Sequence, residues 1–501
     1  VVKTTLGPKG MDKMLVDSTG NIIVTNDGVT ILKEMEIDHP AAKMIVEIAK
    51  TQEQEAGDGT TTVAMWAGKL LENAEKLLDK KIHATVIVKG FRLAAEKAKE
   101  ILKEISYPVE NQDVLKQIVR TSMTGKGAEG HKEKFADLIV SAANQVAEGN
   151  KINLDDIKLE KVKGEGIGNS ELIQGIVLNK ESAHEGMPKK VEQAKILLID
   201  FALELKSPEI ETKISISTPE QLQDFIASEE IALKEMTNKI INSKAKVVFC
   251  QKGIDDIAQY YLAKAGIYAC RRVAKSDMEK LSRATSGKII SNINELNEKD
   301  LGYADSVEEV KKGEDSMTYV RGCKNPRAVT LLIRGSTDHI IDEIERAVKD
   351  GLGVVASAVR DGRIVAGGGA VEIELAKRLR EYSRTLGGRE QLAVEEFASA
   401  IETIPETLAE NAGLDPINVL TELKQRHESG GVRDGLSLSS NRIEDCLAAG
   451  IVEPLKVKTQ AVSSAAEVAI MILRIDDVLV ASDKGSKGGM PRMPPQYEGM
   501  D

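Results

Sequence analysis

Residues 57–62 read Gly57-Asp58-Gly59-Thr60-Thr61-Thr62 and lie between two stretches of helical periodicity. Before them, Pro40 opens a run in which Ala41, Met44, Ile45, Ile48 and Ala49 share one face. After them, Val63, Ala67, Leu70, Leu71, Ala74, Leu77 and Leu78 do the same. The hexapeptide therefore begins a helix. Its two glycines let backbone approach an anion closely. Three Thr residues at a helix start offer hydroxyls and unpaired N–H groups to phosphate oxygens. Asp58 would repel a phosphate, but it makes sense as a ligand for the Mg²⁺ that accompanies nucleotide phosphates. The same residues also read as an ordinary Asp-Gly turn with a Thr N-cap.

Further glycine turns carry charge. Thr5-Leu6-Gly7-Pro8-Lys9-Gly10 and Thr124-Gly125-Lys126-Gly127 each hold a lysine. Asn26-Asp27-Gly28 holds a carboxylate, and Gly367-Gly368-Gly369 follows the apolar pair Ile364-Val365 and opens a helix. Each turn alone is just a turn. A P-loop kinase or metabolic ATPase is disfavoured, because there is no full G-x-x-x-x-G-K-[ST] loop and no βαβ pattern around these turns. The Thr5–Gly10 turn echoes such a loop but is too short.

The chain must position these turns with the rest of its 501 residues, a length that suggests about three domains. Its 68 basic and 79 acidic residues give a net charge of −11 without a long basic block, which argues against a nucleic-acid partner. Charged residues reach 29% and aromatics only 3%, which fits a large helical assembly. Cys250, Cys270, Cys323 and Cys446 are scattered, without metal-type spacing, and read as free thiols in a reducing cytoplasm. No apolar run approaches about 18 residues, so no transmembrane helix is expected.

Periodicity divides the chain. Residues 1 to about 109 read as mostly helical, with a short strand-turn-strand at 21–25 and 29–32 around Asp27. Helices follow at about 41–55, 60–79 and 84–105, and Tyr107-Pro108 breaks the pattern. Residues 110–180 are helical around Lys126, then carry short apolar runs at Ile157–Leu159 and Ile176–Leu178. From about 181 to 329, strands at Ala194–Phe201, Val247–Cys250, Ile267–Ala269 and Lys288–Ile290 alternate with helices, an α/β module. A strand from Val329 and a long helix from about Asp338 follow. The chain is then helical from Gly367 to Ile475, with a last strand at Asp477–Val480 and a Gly-, Met- and Pro-rich tail.

The order and spacing of these turns resemble the chaperonin family, specifically the archaeal and eukaryotic-cytosolic group, from Val1 to about Val480. Gln251–Asp256, Ala274–Met278, Leu408–Asp415 and Arg474–Asp477 match it as well. The resemblance implies a multi-domain α and α/β fold. An equatorial ATP-binding domain spans 1–109 and 368–501. An intermediate hinge domain spans 110–180 and 330–367. An apical substrate-binding domain spans 181–329, with a helical protrusion at about 204–234 that closes the chamber. It also implies an ATPase in stacked rings of identical or paralogous subunits, acting in the cytoplasm on unfolded clients, with ATP/ADP and Mg²⁺ as cofactors and without nucleic acid or membrane. The alternative is an ATPase-inactive structural subunit of a hetero-oligomeric ring. The family has a segment before Val1, so a removed targeting peptide stays open.

Site roles follow from the same resemblance. Leu6, Gly7 and Pro8 match the turn that wraps the nucleotide phosphates. Gly59, Thr60, Thr61 and Thr62 match the phosphate cradle, and Asp58 the Mg²⁺ ligand. Asn26, Gly125, Lys126, Gly367, Gly368 and the ribose-side acid Glu453 complete the nucleotide contacts. Asp350 aligns with the acid that activates water, counting back from Gly367–Gly369, with Asp27 as the second carboxylate. Asp342 reads as structural and Asp361 as a turn residue. Three departures stand out: Gly351 where a better helix former is usual, Ser437 where Asn or Asp is usual near the base, and Met65-Trp66 after the Thr run.

Overall fold

Two glycines with left-handed backbone make the first sharp connection of the chain. The helix Pro40–Ala56 starts on a proline, whose fixed φ suits a first turn, and ends at Gly57 with φ 78°. Gly59, with φ 83°, then starts the helix Thr60–Asp79, and the helix Ala84–Glu104 follows from a His83 cap. In this computed structural model, which describes residues 1–204, 219–312, 315–324 and 326–478, these helices share one apolar core with Ala370–Ser383, Glu390–Ile401 and Leu455–Leu473. Phe91 meets Phe397 edge-on at 5.7 Å, and the Trp66 indole N–H donates to the Ile401 carbonyl at 3.3 Å. The two ends of the chain therefore fold as one body.

A second core joins the helices Gln112–Met123, Lys132–Val146 and Asp338–Asp361 to a three-stranded sheet. The central strand of that sheet, Val329–Gly335, is buried throughout. It runs parallel to Ile157–Lys163 and antiparallel to Glu171–Ile173. Cores three and four flank a seven-stranded mixed sheet. Its parallel part is the expected β-α-β-α-β run: Lys190–Ile199, Val247–Cys250 and Tyr268–Cys270, with Ile289–Ile290 back beside Lys190–Ile199. Its antiparallel part, Gly302–Lys312 with Asp315–Arg321 and Gly175–Leu178, was not expected. That hairpin is rich in Glu and Lys, so its buried positions, such as Ala304, Val307 and Val320, do not form an apolar run.

Several local expectations are corrected. Residues 29–32 are not a strand but part of the helix Gly28–Glu34. Asp27 caps it, accepting from the N–H groups of Val29 at 3.4 Å and Thr30 at 3.0 Å. That cap outweighs the β-branched pattern of Val29, Thr30 and Ile31. Ile22–Thr25 pairs instead with Lys13–Val16. The C-terminal half is not wholly helical: Asp434–Ser437 pairs with Arg442–Asp445, and Val452–Pro454 pairs with Arg363–Ala366. Tyr107–Pro108 is a short strand on the other edge of Arg363–Ala366. Of the expected last strand, Asp477 and Val478 are non-helical and unpaired, and Leu479 and Val480 lie outside the described residues. Residues 205–218 of the expected protrusion also lie outside them, and its helix Pro219–Asn242 runs past 234. Among the described residues, no helix is long and apolar enough to cross a membrane.

Candidate functional site

No side chain caps the helix Thr60–Asp79, so its first-turn N–H groups stay available. They open on a cavity of about 650 Å³. The loop before them is held from behind. Gln52, fully buried, donates to the carbonyls of Asp58 at 2.8 Å and Val457 at 3.1 Å. Asp58 Oδ1 accepts from the Gly59 N–H at 2.7 Å. Gly57 lies so close to Gly353 that a Cβ on it would stand 2.5 Å from the Gly353 Cα. This contact joins the loop to the helix Asp338–Asp361, on which Asp350 sits.

Three other turns close on the same cavity. Asn411 holds the first by donating to the Leu6 carbonyl at 2.9 Å. The Gly125 turn stacks on it: a Cβ at Gly125 would lie 2.8 Å from the Pro8 Cα. Asn26 ties this turn to the next by donating to the Gly125 carbonyl at 2.7 Å. Gly368 approaches Leu436 too closely for a side chain, 2.7 Å from the Leu436 carbonyl oxygen.

Leu6, Gly7, Pro8, Asn26, Asp27, Asp58, Gly59, Thr60, Thr61, Thr62, Gly125, Lys126, Gly368 and Glu453 all line this cavity, as expected. Asp350 and Gly367 stand behind the wall. Asp350 reaches the cavity through Lys126, whose Nζ pairs with its Oδ2 at 2.5 Å. Gly367 backs Glu453, where a Cβ would stand 3.4 Å from Oε1. Asp27 lines the cavity with a carboxylate that already serves as a cap and also accepts from the hydroxyls of Thr30 at 2.6 Å and Thr60 at 3.1 Å. Ser437 is not at the cavity. It is buried in its strand beside Ser439, which does line it.

Sequence reasoning missed Gln52, Gly353, Ser439, Lys458 and Glu372. A buried Gln facing backbone carbonyls, or a glycine inside a long helix, has no local signature. Lys458, with only a sliver of its surface exposed, reaches Glu372 Oε1 at 2.8 Å and Glu453 Oε2 at 2.7 Å. The one available signal was its place just after Glu453-Pro454.

Charge is out of balance here. Burial pushes the Asp350 carboxyl up to about 7, helped by the negative charges of Asp58 and Asp27 and opposed by Lys126. Burial alone would lower Lys126, but the carboxylates of Asp350, Asp58 and Asp27 hold it well above the ordinary lysine range. Three carboxylates act on one ammonium, an arrangement that favours a further cation. No group of three or more acidic, His or Cys side chains among the described residues forms a closed metal site. A cation at Asp58 would therefore take its other ligands from phosphate or water, the usual habit of Mg²⁺.

A helical body made from both chain ends, a hinge-like second core entered twice, an α/β module between them and an anion-binding cleft where the parts meet define a chaperonin subunit. A model of the TCP-1/cpn60 chaperonin family matches residues 1–483. The chain belongs to that family. It is 56% identical over 505 residues to a thermosome subunit beta of Archaeoglobus fulgidus, covering 98% of this chain and 93% of that one. It is also 56% identical over 488 residues to a thermosome subunit of Methanopyrus kandleri, covering 96% and 90%. A solved open-state monomer of a group II chaperonin from Methanococcoides burtonii superposes with a TM-score of 0.61 at 45% identity, covering 83% of this chain and all of that one.

Proposed function

We propose that this chaperonin subunit binds ATP with Mg²⁺ in the cleft, hydrolyses it to ADP and phosphate, and uses turnover to enclose unfolded proteins in a double ring. The observation that carries this reading is the Lys126–Asp350 pair, placed beside an uncapped helix start. Gly59 and Thr60–Thr62 hold phosphate oxygens with N–H and hydroxyl donors. Asp58 and solvent hold the metal, which when bound neutralises phosphate charge and polarises the bond to be broken. Lys126 leaves Asp350 for the terminal phosphate, and the freed carboxylate orients and deprotonates the attacking water. Asp27, tied up by four donors, keeps the Thr60 hydroxyl and the Gly28–Glu34 helix in register and adds negative charge beside the water.

The domain reading stays as expected from sequence, with the equatorial, intermediate and apical parts resting on the separate cores. Relatives named as alpha and beta subunits support rings of identical or paralogous chains. The four cysteines are buried free thiols, which supports a reducing cytoplasm. Phosphate release and protease protection of an unfolded client, each measured with and without ATP, test the proposal. A wild-type ring that releases no phosphate would establish the inactive structural subunit instead.

A further inference from the structure

The phosphate-binding residues leave a second cluster of buried charge in the cleft unused. Glu453 sits on the strand Val452–Pro454, and Lys458 lies in the first turns of the helix Leu455–Leu473. Glu372 sits in the first turn of the helix Ala370–Ser383 and is 1% exposed. Lys458 bridges the two carboxylates, to Glu372 Oε1 and Glu453 Oε2. The Glu372 side chain cannot reach solvent, so it anchors the ammonium. The ammonium in turn fixes one oxygen of Glu453. The other oxygen, Oε1, lies against Gly367, whose missing side chain leaves room for it. Glu453 and Lys458 both line the cavity. An ionised carboxylate only accepts hydrogen bonds, so its natural ligands are hydroxyl or N–H donors.

We propose that Lys458, braced by Glu372, is a positioning residue that holds Glu453 ready to accept hydroxyl donors from the sugar of a bound nucleotide. The triad thereby sets a preference for nucleotides that carry both ribose hydroxyls. This rests on the nucleotide-binding reading of the cleft. Without the brace, the Lys458 ammonium could follow Glu453 or turn to the phosphates. Without the lysine, the carboxylate would be buried beside Glu372 with no countercharge, and would take up a proton or swing away.

Binding and steady-state hydrolysis of ATP, 2′-deoxy-ATP and 3′-deoxy-ATP, measured on assembled wild type, K458M, E453Q, K458M/E453Q and K458R, test it. The wild type is expected to prefer ATP over either deoxynucleotide by about tenfold, the worth of one hydrogen bond to a charged group. K458M and E453Q should each abolish that preference by raising KM for ATP alone, with kcat nearly kept. The double variant should lose no more than either single one, because Lys458 acts through Glu453. K458R should restore part of the preference. Equal weakening of all three nucleotides by K458M, or a loss that adds to that of E453Q, would show a merely structural lysine and overturn the proposal. So would a wild type that binds ATP and the deoxynucleotides alike. A wild type that binds none of them overturns the nucleotide reading and this inference with it. If K458M does not assemble, E372Q, which removes only the brace, is expected to lower the preference, and an unchanged preference there overturns the proposal.

Discussion

Lys126 and Lys458 both face the cleft from buried positions, and each is charge-paired, but their settings differ. Lys126 sits in a glycine turn behind the helix Gln112–Met123 and reaches across to one carboxylate on the helix Asp338–Asp361. Lys458 sits within a helix of the chain-end body and is gripped by two carboxylates from neighbouring elements of that body. One pair joins two elements of the hinge core by a single contact, at the face where a phosphate would arrive. The other locks the body to itself. The same ion-pair chemistry thus serves exchange in one place and fixation in the other. The difference lies in how many partners hold the ammonium and whether they belong to one rigid unit.

Removing the exchangeable acid should have the largest effect. Asp350→Ala is expected to bind ATP with near-normal affinity and to slow single-turnover hydrolysis by on the order of 10²–10⁴-fold. Asp58→Ala should instead weaken Mg-ATP binding, because the metal loses a ligand, and Asp361→Ala at the helix end should do little. Paired equilibrium binding and single-turnover rates on the three variants check this. Near-normal hydrolysis in Asp350→Ala would show that the wrong acid was assigned.

The exchangeable pair should also show in the pH profile. A base must be ionised, and Asp350 is pushed up to about 7 before nucleotide arrives. Its folded pKa lies above its unfolded one, so the protein holds an extra proton between them and stability falls as pH rises from about 4 towards 7. For the reaction, kcat/KM should fall about tenfold per pH unit below 7. Asp350→Asn should flatten that limb along with the activity. A wild-type profile flat from pH 5 to 8 would rule out the carboxylate as the base.

The Gly57–Gly353 contact links the phosphate loop to the Asp350 helix. Gly353→Ala would put a Cβ 2.7 Å from the Gly57 Cα. This overpacking should destabilise the protein by about 2 kcal/mol and slow hydrolysis by shifting Asp350 against the loop. Thermal unfolding together with turnover measures both. An unchanged melting temperature would show that the two backbones are free to part.

A third acid, outside the cleft, gives the smallest effect. Burial would raise Glu309, but hydrogen bonds from Lys189, the Ser182 N–H and the Ser316 hydroxyl overcome it and hold the carboxyl down to about 2. Its stabilisation is present above its unfolded pKa and is lost as pH falls from about 4 towards 2. Glu309→Gln should lower stability by about 1 kcal/mol at neutral pH and leave ATP turnover alone. Denaturant melts at pH 7 and pH 3 should converge for the two proteins.

Most of the cleft was legible because its signals are local. Gly57 and Gly59, the three Thr residues and the Pro40 and Gly369 starts announce turns and helix ends through backbone chemistry that a few residues decide. The same holds for the helices Thr60–Asp79 and Ala84–Glu104, whose apolar faces repeat at helical spacing. Local pattern also misled. Val29 to Leu32 looked like a strand until the Asp27 cap decided otherwise. The charged hairpin Gly302–Lys312 with Asp315–Arg321 hid its buried face among Glu and Lys.

The sequence by itself determined the kinds of groups at this site: a phosphate-binding helix start, glycine turns with lysines, and a small set of acids. Only the tertiary structure decided which of them meet. It set Lys126 on Asp350, 224 residues apart, and Gly57 on Gly353. It also put Lys458 between Glu372 and Glu453. The physical reason is that a turn or a cap is fixed by backbone dihedrals of adjacent residues. An ion pair or a glycine-to-glycine approach exists only after separate cores have packed and placed distant chain segments within a few ångströms.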